Sequence, residues 1–135
     1  GVMKAYVFDT GALMLMLLGD ERLRSYIEEI SEGVAKAYLS AVNLAELYYK
    51  TIEKIGRETA ETWYFRILNS NIVVVPADDK YAREAGIYKS RYKRALSLAD
   101  CFAMGLSVKE KALLLTTDSD FNEVREVDMK YFPIY

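Results

Sequence analysis

The chain contains no histidine, one cysteine, two prolines and no glutamine among its 135 residues. Without histidine there can be no Ser-His or Cys-His nucleophile pair, no imidazole acid-base chemistry and no His-ligated metal. A lone Cys101 cannot close an internal disulfide and does not make a zinc cluster, which fits a reducing cytoplasm. Long hydrophobic runs are also missing. The longest, Ala12 to Leu18, falls far short of the roughly 20 residues that span a bilayer, so no membrane role is expected. Asp9 interrupts the apolar N-terminus and argues against a signal peptide, and the Gly1-Val2 ahead of Met3 reads as an expression scar. The net charge of −2 provides no general attraction to nucleic acid. Any chemistry must come from carboxylates, hydroxyls, lysine or a bound metal.

A 135-residue chain that is 52% hydrophobic is long enough for one sizeable core, and residues 3–135 are read as a single domain. Short apolar runs at 5–8, 35–40, 71–75 and 112–116 predict buried strands. A fifth strand at 130–134 is placed at a sheet edge by Pro133. Helices are predicted at 20–31, 57–69 and 98–110. Two more follow from apolar faces, one formed by Ala41, Leu44, Tyr48, Ile52 and Ile55, the other by Tyr81, Ala85, Tyr88 and Tyr92. The alternation predicts an α/β fold, a mainly parallel sheet with helices on both faces. Ligands in such sheets sit beyond the carboxyl ends of the strands.

Acids stand at those ends. Asp9 follows the first strand, and Asp118 follows the fourth in "TTDSDF". Glu46 lies about two turns into the helix that Ser40 caps, and Asp100 lies in the first turn of the helix opened by Ser97. Each has a structural alternative: Asp9 as a helix cap, Ser97-x-x-Asp100 and Thr117-x-x-Asp120 as capping boxes, Glu46 as a solvated face. Together, with no histidine or lysine motif beside them, they would carry about −4 and repel one another unless cations were bound. Oxygen ligands favour Mg²⁺ or Mn²⁺, which bind phosphate oxygens and activate water.

The segments "VFDTGAL", "SAVNLAEL", "LSLADCFAMGL" and "LLLTTDSDF" resemble, in order and spacing, those of PIN-domain ribonucleases, and the chain length is similar to that of the VapC toxins of VapBC toxin-antitoxin systems. The resemblance implies a PIN-like sheet in the order 3-2-1-4-5. It also implies a metal-dependent endoribonuclease acting on RNA, a cognate VapB-like antitoxin and a homodimer. It matches Asp9, Glu46, Asp100 and Asp118 to the four catalytic, metal-holding acids, and Asp120 to the second acid of the closing D-x-D-F pattern, a ligand directly or through water. Thr10, Ser40, Asn43 and Thr116 fall at polar positions expected to orient carboxylates or waters, Thr116 foremost. Departures are Gly11, where relatives carry a polar residue, and Ala99 and Cys101 beside Asp100. These leave the shape of the pocket open, but remove no acid.

Other matches fail on a chemical role. An aspartic protease needs a second carboxylate lobe. A haloacid dehalogenase-type phosphohydrolase needs an acid where Gly11 stands, and so ranks as a lesser alternative. An EF-hand loop would need glycine at Glu123 and glutamate at Met129. Cys101 has no basic partner and reads as a buried apolar residue. "LMLMLL" at 13–18 reads as core or subunit interface. "YKSRYKR" gathers Lys89, Arg91, Lys93 and Arg94 around two tyrosines, a candidate RNA contact whose alternative is a solvated helix end. A noncatalytic PIN-like RNA- or protein-binding module remains the rival class.

Overall fold

The computed structural model describes residues 3–134, so the Gly1-Val2 reading lies outside the described residues. Five strands form one sheet: β1 (Lys4–Phe8), β2 (Ala35–Ser40), β3 (Ile72–Val75), β4 (Leu113–Thr116) and β5 (Met129–Tyr131). Their order is β3-β2-β1-β4-β5 and every pairing is parallel. The predicted order therefore holds. β5 ends before Pro133, which lies past the strand, and β5 occupies a sheet edge as expected.

Alternation along the central strand divides the core. Tyr6 and Phe8 of β1 point to one face and join Leu13, Leu39 and Ile67. Val7 points to the other and joins Met104, Leu114 and Phe121. Both faces are therefore covered, by α1 (Thr10–Leu17), α2 (Arg24–Ser31), α3 (Ala41–Lys54), α4 (Arg57–Leu68), α5 (Asp79–Tyr92) and α6 (Leu98–Glu110).

Three elements differ from expectation. Residues 10–17 form a helix capped by Asp9, where the sequence offered that cap only as an alternative role for Asp9 and placed 13–18 in core or a subunit interface. Its sequence is apolar on every side, so it has no periodic polar face to reveal it. The helix expected at 20–31 is split: Asp20 caps a 3-10 turn at Glu21–Leu23, and α2 follows. On α3 the buried stripe is Asn43, Leu44, Leu47 and Thr51, while Ile52 and Ile55 are exposed. The apolar residues on the expected face thus do not all enter the core. The Tyr81–Tyr92 face does pack inward, through Ala85 and Tyr88. Among the described residues no helix is long and apolar enough to cross a membrane.

Phe121, fully buried, anchors the 3-10 turn Ser119–Glu123 that carries the chain away from β4. Phe121→Ala is expected to cost about 3–5 kcal/mol in urea denaturation. A loss below about 1 kcal/mol would show that this turn does not depend on the core for its position.

Candidate active site

Parallel pairing of Phe8 with Leu115 brings the ends of β1 and β4 side by side. The Asp9 amide donates to the Leu115 carbonyl (3.0 Å), which extends that register past the strand. Asp9 is extended and caps α1, with Oδ1 accepting from the Ala12 amide (2.8 Å). Its Oδ2 accepts from the Thr116 hydroxyl and from the Thr117 amide (3.3 Å). Asp9 is therefore both the helix cap and a carboxylate presented at the strand ends. Burial pushes its pKa up to about 6, against the pull of the Thr116, Ala12 and Thr117 hydrogen bonds, and the charge of Asp100 adds to the rise.

Thr116 braces a second acid. Its Oγ1 accepts from the Asp118 amide (2.9 Å) while its proton goes to Asp9. Asp118 caps the following turn through the Asp120 amide (2.9 Å), so this turn starts at Asp118 and not as a Thr117-x-x-Asp120 box. Asp100 and Ser97 do form the predicted box, with Ser97 Oγ accepting from the Asp100 amide and Asp100 Oδ2 from the Ser97 amide. Burial first, and then the neighbouring Asp118 carboxylate, raises the Asp100 pKa above its ordinary value. Ser40 caps α3 through the Val42 amide (3.2 Å), and Glu46 follows about two turns later. Asn43 on the same helix is buried and donates from Nδ2 to the Thr10 hydroxyl (3.1 Å), tying α3 to α1. Its Oδ1 has no hydrogen-bond partner among the described residues.

One cavity of about 530 Å³ collects Asp9, Thr10, Glu46, Asp100 and Asp118. Ser40, Asn43 and Thr116 are buried and do not line it, nor does exposed Asp120. None of Lys89, Arg91, Lys93 and Arg94 lines it either. Lys89 donates to the carbonyls of Lys93 and Leu96 (2.7 Å to the latter), and Arg91 pairs with Glu126. Lys93 and Arg94 remain exposed. Cys101 is fully buried, and burial together with the Asp100 charge pushes its thiol up to about 11, the reverse of an activated thiolate.

Sequence reasoning missed three contributors. Lys50 lies 3.8 Å from Glu46 and lines the cavity, as does Lys54 one turn on, so lysines do stand beside the acids. The i,i+4 spacing from Glu46 to Lys50 was a readable signal. Thr117 is the third. A Cβ on Gly11 would meet the Thr117 hydroxyl at 1.8 Å and its Cβ at 3.0 Å, so the Thr117 side chain occupies the space that a larger residue at 11 would need.

The donor set at the cavity is entirely oxygen, which suits a hard divalent cation. Among the described residues, however, no group of three or more His, Cys, Asp or Glu side chains is gathered tightly enough to hold a metal as it stands. The acids share a cavity without closing a shell.

A family model described as PIN domain matches residues 6–127. The chain belongs to the PIN domain family. No curated protein matches it. Its PIN fold is similar to that in the structure of VapBC2 from Rickettsia felis bound to a DNA fragment from their promoter, with TM-score 0.76, 15% identity, and coverage of 95% of this chain and 98% of that one. DNA-bound VapBC from Salmonella typhimurium gives TM-score 0.73 at 16% identity, covering 96% and 98%. Mycobacterium tuberculosis VapC20, a Sarcin-Ricin loop cleaving toxin, gives 0.72 at 19%, covering 91% and 98%.

The PIN cavity makes a thermodynamic statement. Asp9 has a folded pKa of about 6 against 3.8 in a free chain, so its contribution to stability is greatest below pH 4 and is lost as pH rises through 6. Ionising it in the fold costs about 3 kcal/mol more than in the unfolded chain. Asp9→Asn is expected to match or exceed the wild-type Tm at pH 7.5 without metal, with the difference shrinking or reversing by pH 4. A Tm deficit that is the same at both pH values would assign Asp9 a capping role alone. In a separate test, Thr116→Val is expected to raise the Asp9 pKa further, as read by NMR titration of its carboxylate, while Thr116→Ser holds it near the wild-type value.

Proposed function

We propose that this PIN domain, spanning residues 3–135, is a metal-dependent endoribonuclease that hydrolyses RNA phosphodiester bonds. In this reading it is the toxin of a VapBC-like pair, works in the cytoplasm as a homodimer and is restrained by a VapB-like antitoxin. The observation that carries the reading is Asp9, a buried carboxylate that burial and Asp100 both discourage from ionising, opening onto a cavity shared with Glu46 and Asp118. A group held at such cost to the fold suits a site that becomes favourable when positive charge arrives. Toxins and toxin-antitoxin proteins among the similar folds support the biological role.

Asp9, Glu46, Asp100 and Asp118 would hold Mg²⁺ or Mn²⁺, with Asp120 outside them reaching in through water. Such ions, when bound, neutralise a phosphate and lower the pKa of a water nucleophile. The chain's own part is positioning. Thr116 holds Asp9 and Asp118 together, so the acids from β1 and β4 move as one unit. Ser97 fixes Asp100 by its cap, and Thr10, Asn43 and Ser40 set α3, and with it Glu46, against α1. Exposed Lys93 and Arg94 are free to meet flanking RNA phosphates.

The rival reading, a noncatalytic RNA- or protein-binding module, is favoured by the absence of a closed three-acid group among the described residues and by the Lys50 cation beside Glu46. A phosphohydrolase with Asp9 as nucleophile fits less well, since Gly11 stands where that chemistry needs an acid-base carboxylate. Incubating the protein with Mn²⁺ and a mixed RNA pool separates the three. Cleavage by wild type, lost in Asp9→Asn and Asp100→Asn, is expected, together with a Mn²⁺-dependent rise in Tm that both variants lack. Equal cleavage by all three proteins would overturn the site. Hydrolysis of small phosphate esters alone would favour the phosphohydrolase, and RNA binding without cleavage the module.

A further inference from the structure

The acid cavity extends beyond the acids. On α3, Glu46, Lys50 and Lys54 succeed one another at intervals of four residues and all three line the cavity. They form a stripe that begins at the acids and runs about 12 Å along the helix axis. Across from it, α1 and the C-terminal segment contribute Met14, Leu15, Leu18 and Ile134. Leu18 and Ile134 are 60% and 65% exposed, so this wall is apolar and open. The cavity is therefore a groove with an acidic head and a tail that is basic on one side and apolar on the other.

The Lys50 ammonium is only loosely engaged. At 3.8 Å, with the lysine side chain 40% and Glu46 24% exposed, the pair sits at the long limit of an ion pair and holds weakly. Lys54 is exposed and makes no ion pair among the described residues. Two cations about 6 Å apart along one helix, continuous with a site for phosphodiester chemistry, match the repeating charge of a polynucleotide backbone. The apolar wall suits unpaired bases, whose faces bury against uncharged surface. In a chain with net charge −2, whose groove sets four acids against two lysines, Lys50 and Lys54 hold the strand on the side away from the acids while a cation bound among the acids offsets their charge.

We propose that Lys50 and Lys54 form a rail that grips consecutive phosphates of single-stranded RNA flanking the bond to be cut, and that Lys50 leaves Glu46 for phosphate when Glu46 engages a cation. The proposal rests on the ribonuclease reading and names how its substrate lies in the groove. The strand runs outward from the acids along α3, with its bases toward Leu18 and Ile134. A cation near the C-terminal end of α3 also offsets the helix dipole. That role alone would leave RNA binding unchanged.

The test is fluorescence anisotropy with a labelled single-stranded RNA of mixed sequence, in the Asp9→Asn background with Mg²⁺ and increasing NaCl. Lys50→Gln and Lys54→Gln should each flatten the slope of log Kobs against log salt by about 0.7, and the double variant by about twice that. Lys36→Gln, exposed on β2 and away from the groove, should leave the slope unchanged. Lys54 is solvent-exposed, so its variant serves as the folded reference if Lys50→Gln loses its thermal transition, and Lys50→Arg should restore the slope. If the Lys36 control and both groove variants share one slope while the protein with Asp9 intact still cuts RNA in Mn²⁺, the rail is wrong and the nuclease reading stands. If no protein binds or cuts RNA, both fall. If the variants lose binding of a poly-glutamate peptide but not of RNA, the groove takes an acidic protein segment and the proposal is overturned.

Discussion

The Thr116 hydroxyl donates to a buried carboxylate at the end of the neighbouring strand, and much of the site depends on that contact. It is made possible by the parallel register of β1 and β4, which sets Asp9, just past β1, beside Thr116, the last residue of β4. The same hydroxyl receives the Asp118 amide, so one threonine links two strand ends and two acids. Asp9 in turn starts α1. Sheet register, helix start and acid placement are thus one arrangement, and a shift in any of them would displace the others.

Electrostatics explains why the arrangement is poised rather than at rest. Asp9 and Asp100 are each disfavoured as anions by burial, and each has an acidic neighbour that worsens the penalty. Hydrogen bonds to Asp9 offset part of the cost and burial outweighs them. Glu46 is different: it is more exposed and has Lys50 within ion-pair range. The cavity therefore contains a buried acid at the end of β1, a capped acid in the first turn of α6, and on α3 an acid with a lysine in range. For Asp9 the difference follows from placement, since the end of β1 is enclosed by helices on both faces while the side of α3 that carries Glu46 faces the groove.

Most of the sheet was legible because buried parallel strands produce short apolar runs between turn signals, and four were visible within a residue or two of their observed ends. The strand order came with the PIN resemblance rather than from the pattern itself. Residues 10–17 were not recognised as a helix because a segment enclosed by core has no polar side to mark its period. The α3 face was misjudged for the opposite reason: Asn43 and Thr51 are polar yet buried, one through Thr10 and the other through the Leu47 carbonyl. In the site, the gathering of Asp9, Glu46, Asp100 and Asp118 at one cavity was anticipated from strand-end position. Lys50 and Lys54 were not legible as cavity residues, since lysines at four-residue spacing on a helix also describe an ordinary solvated face. The Lys89 and Arg91 contacts were not readable, since they depend on a loop carbonyl and on Glu126, 35 residues beyond Arg91.

Gly11 and Thr117 have a consequence of a different kind. They come from separate segments, one opening α1 and the other following β4, and they compete for one small volume. The two positions therefore behave as a single choice about which segment lends its side chain to that corner of the pocket. In this protein the choice falls on the β4 side, with no side chain at position 11 and the Thr117 hydroxyl in that corner. A chain with a polar side chain at position 11 would have to turn, shift or shorten the side chain at 117 in the same step, so this corner of the pocket changes by exchange between its two walls.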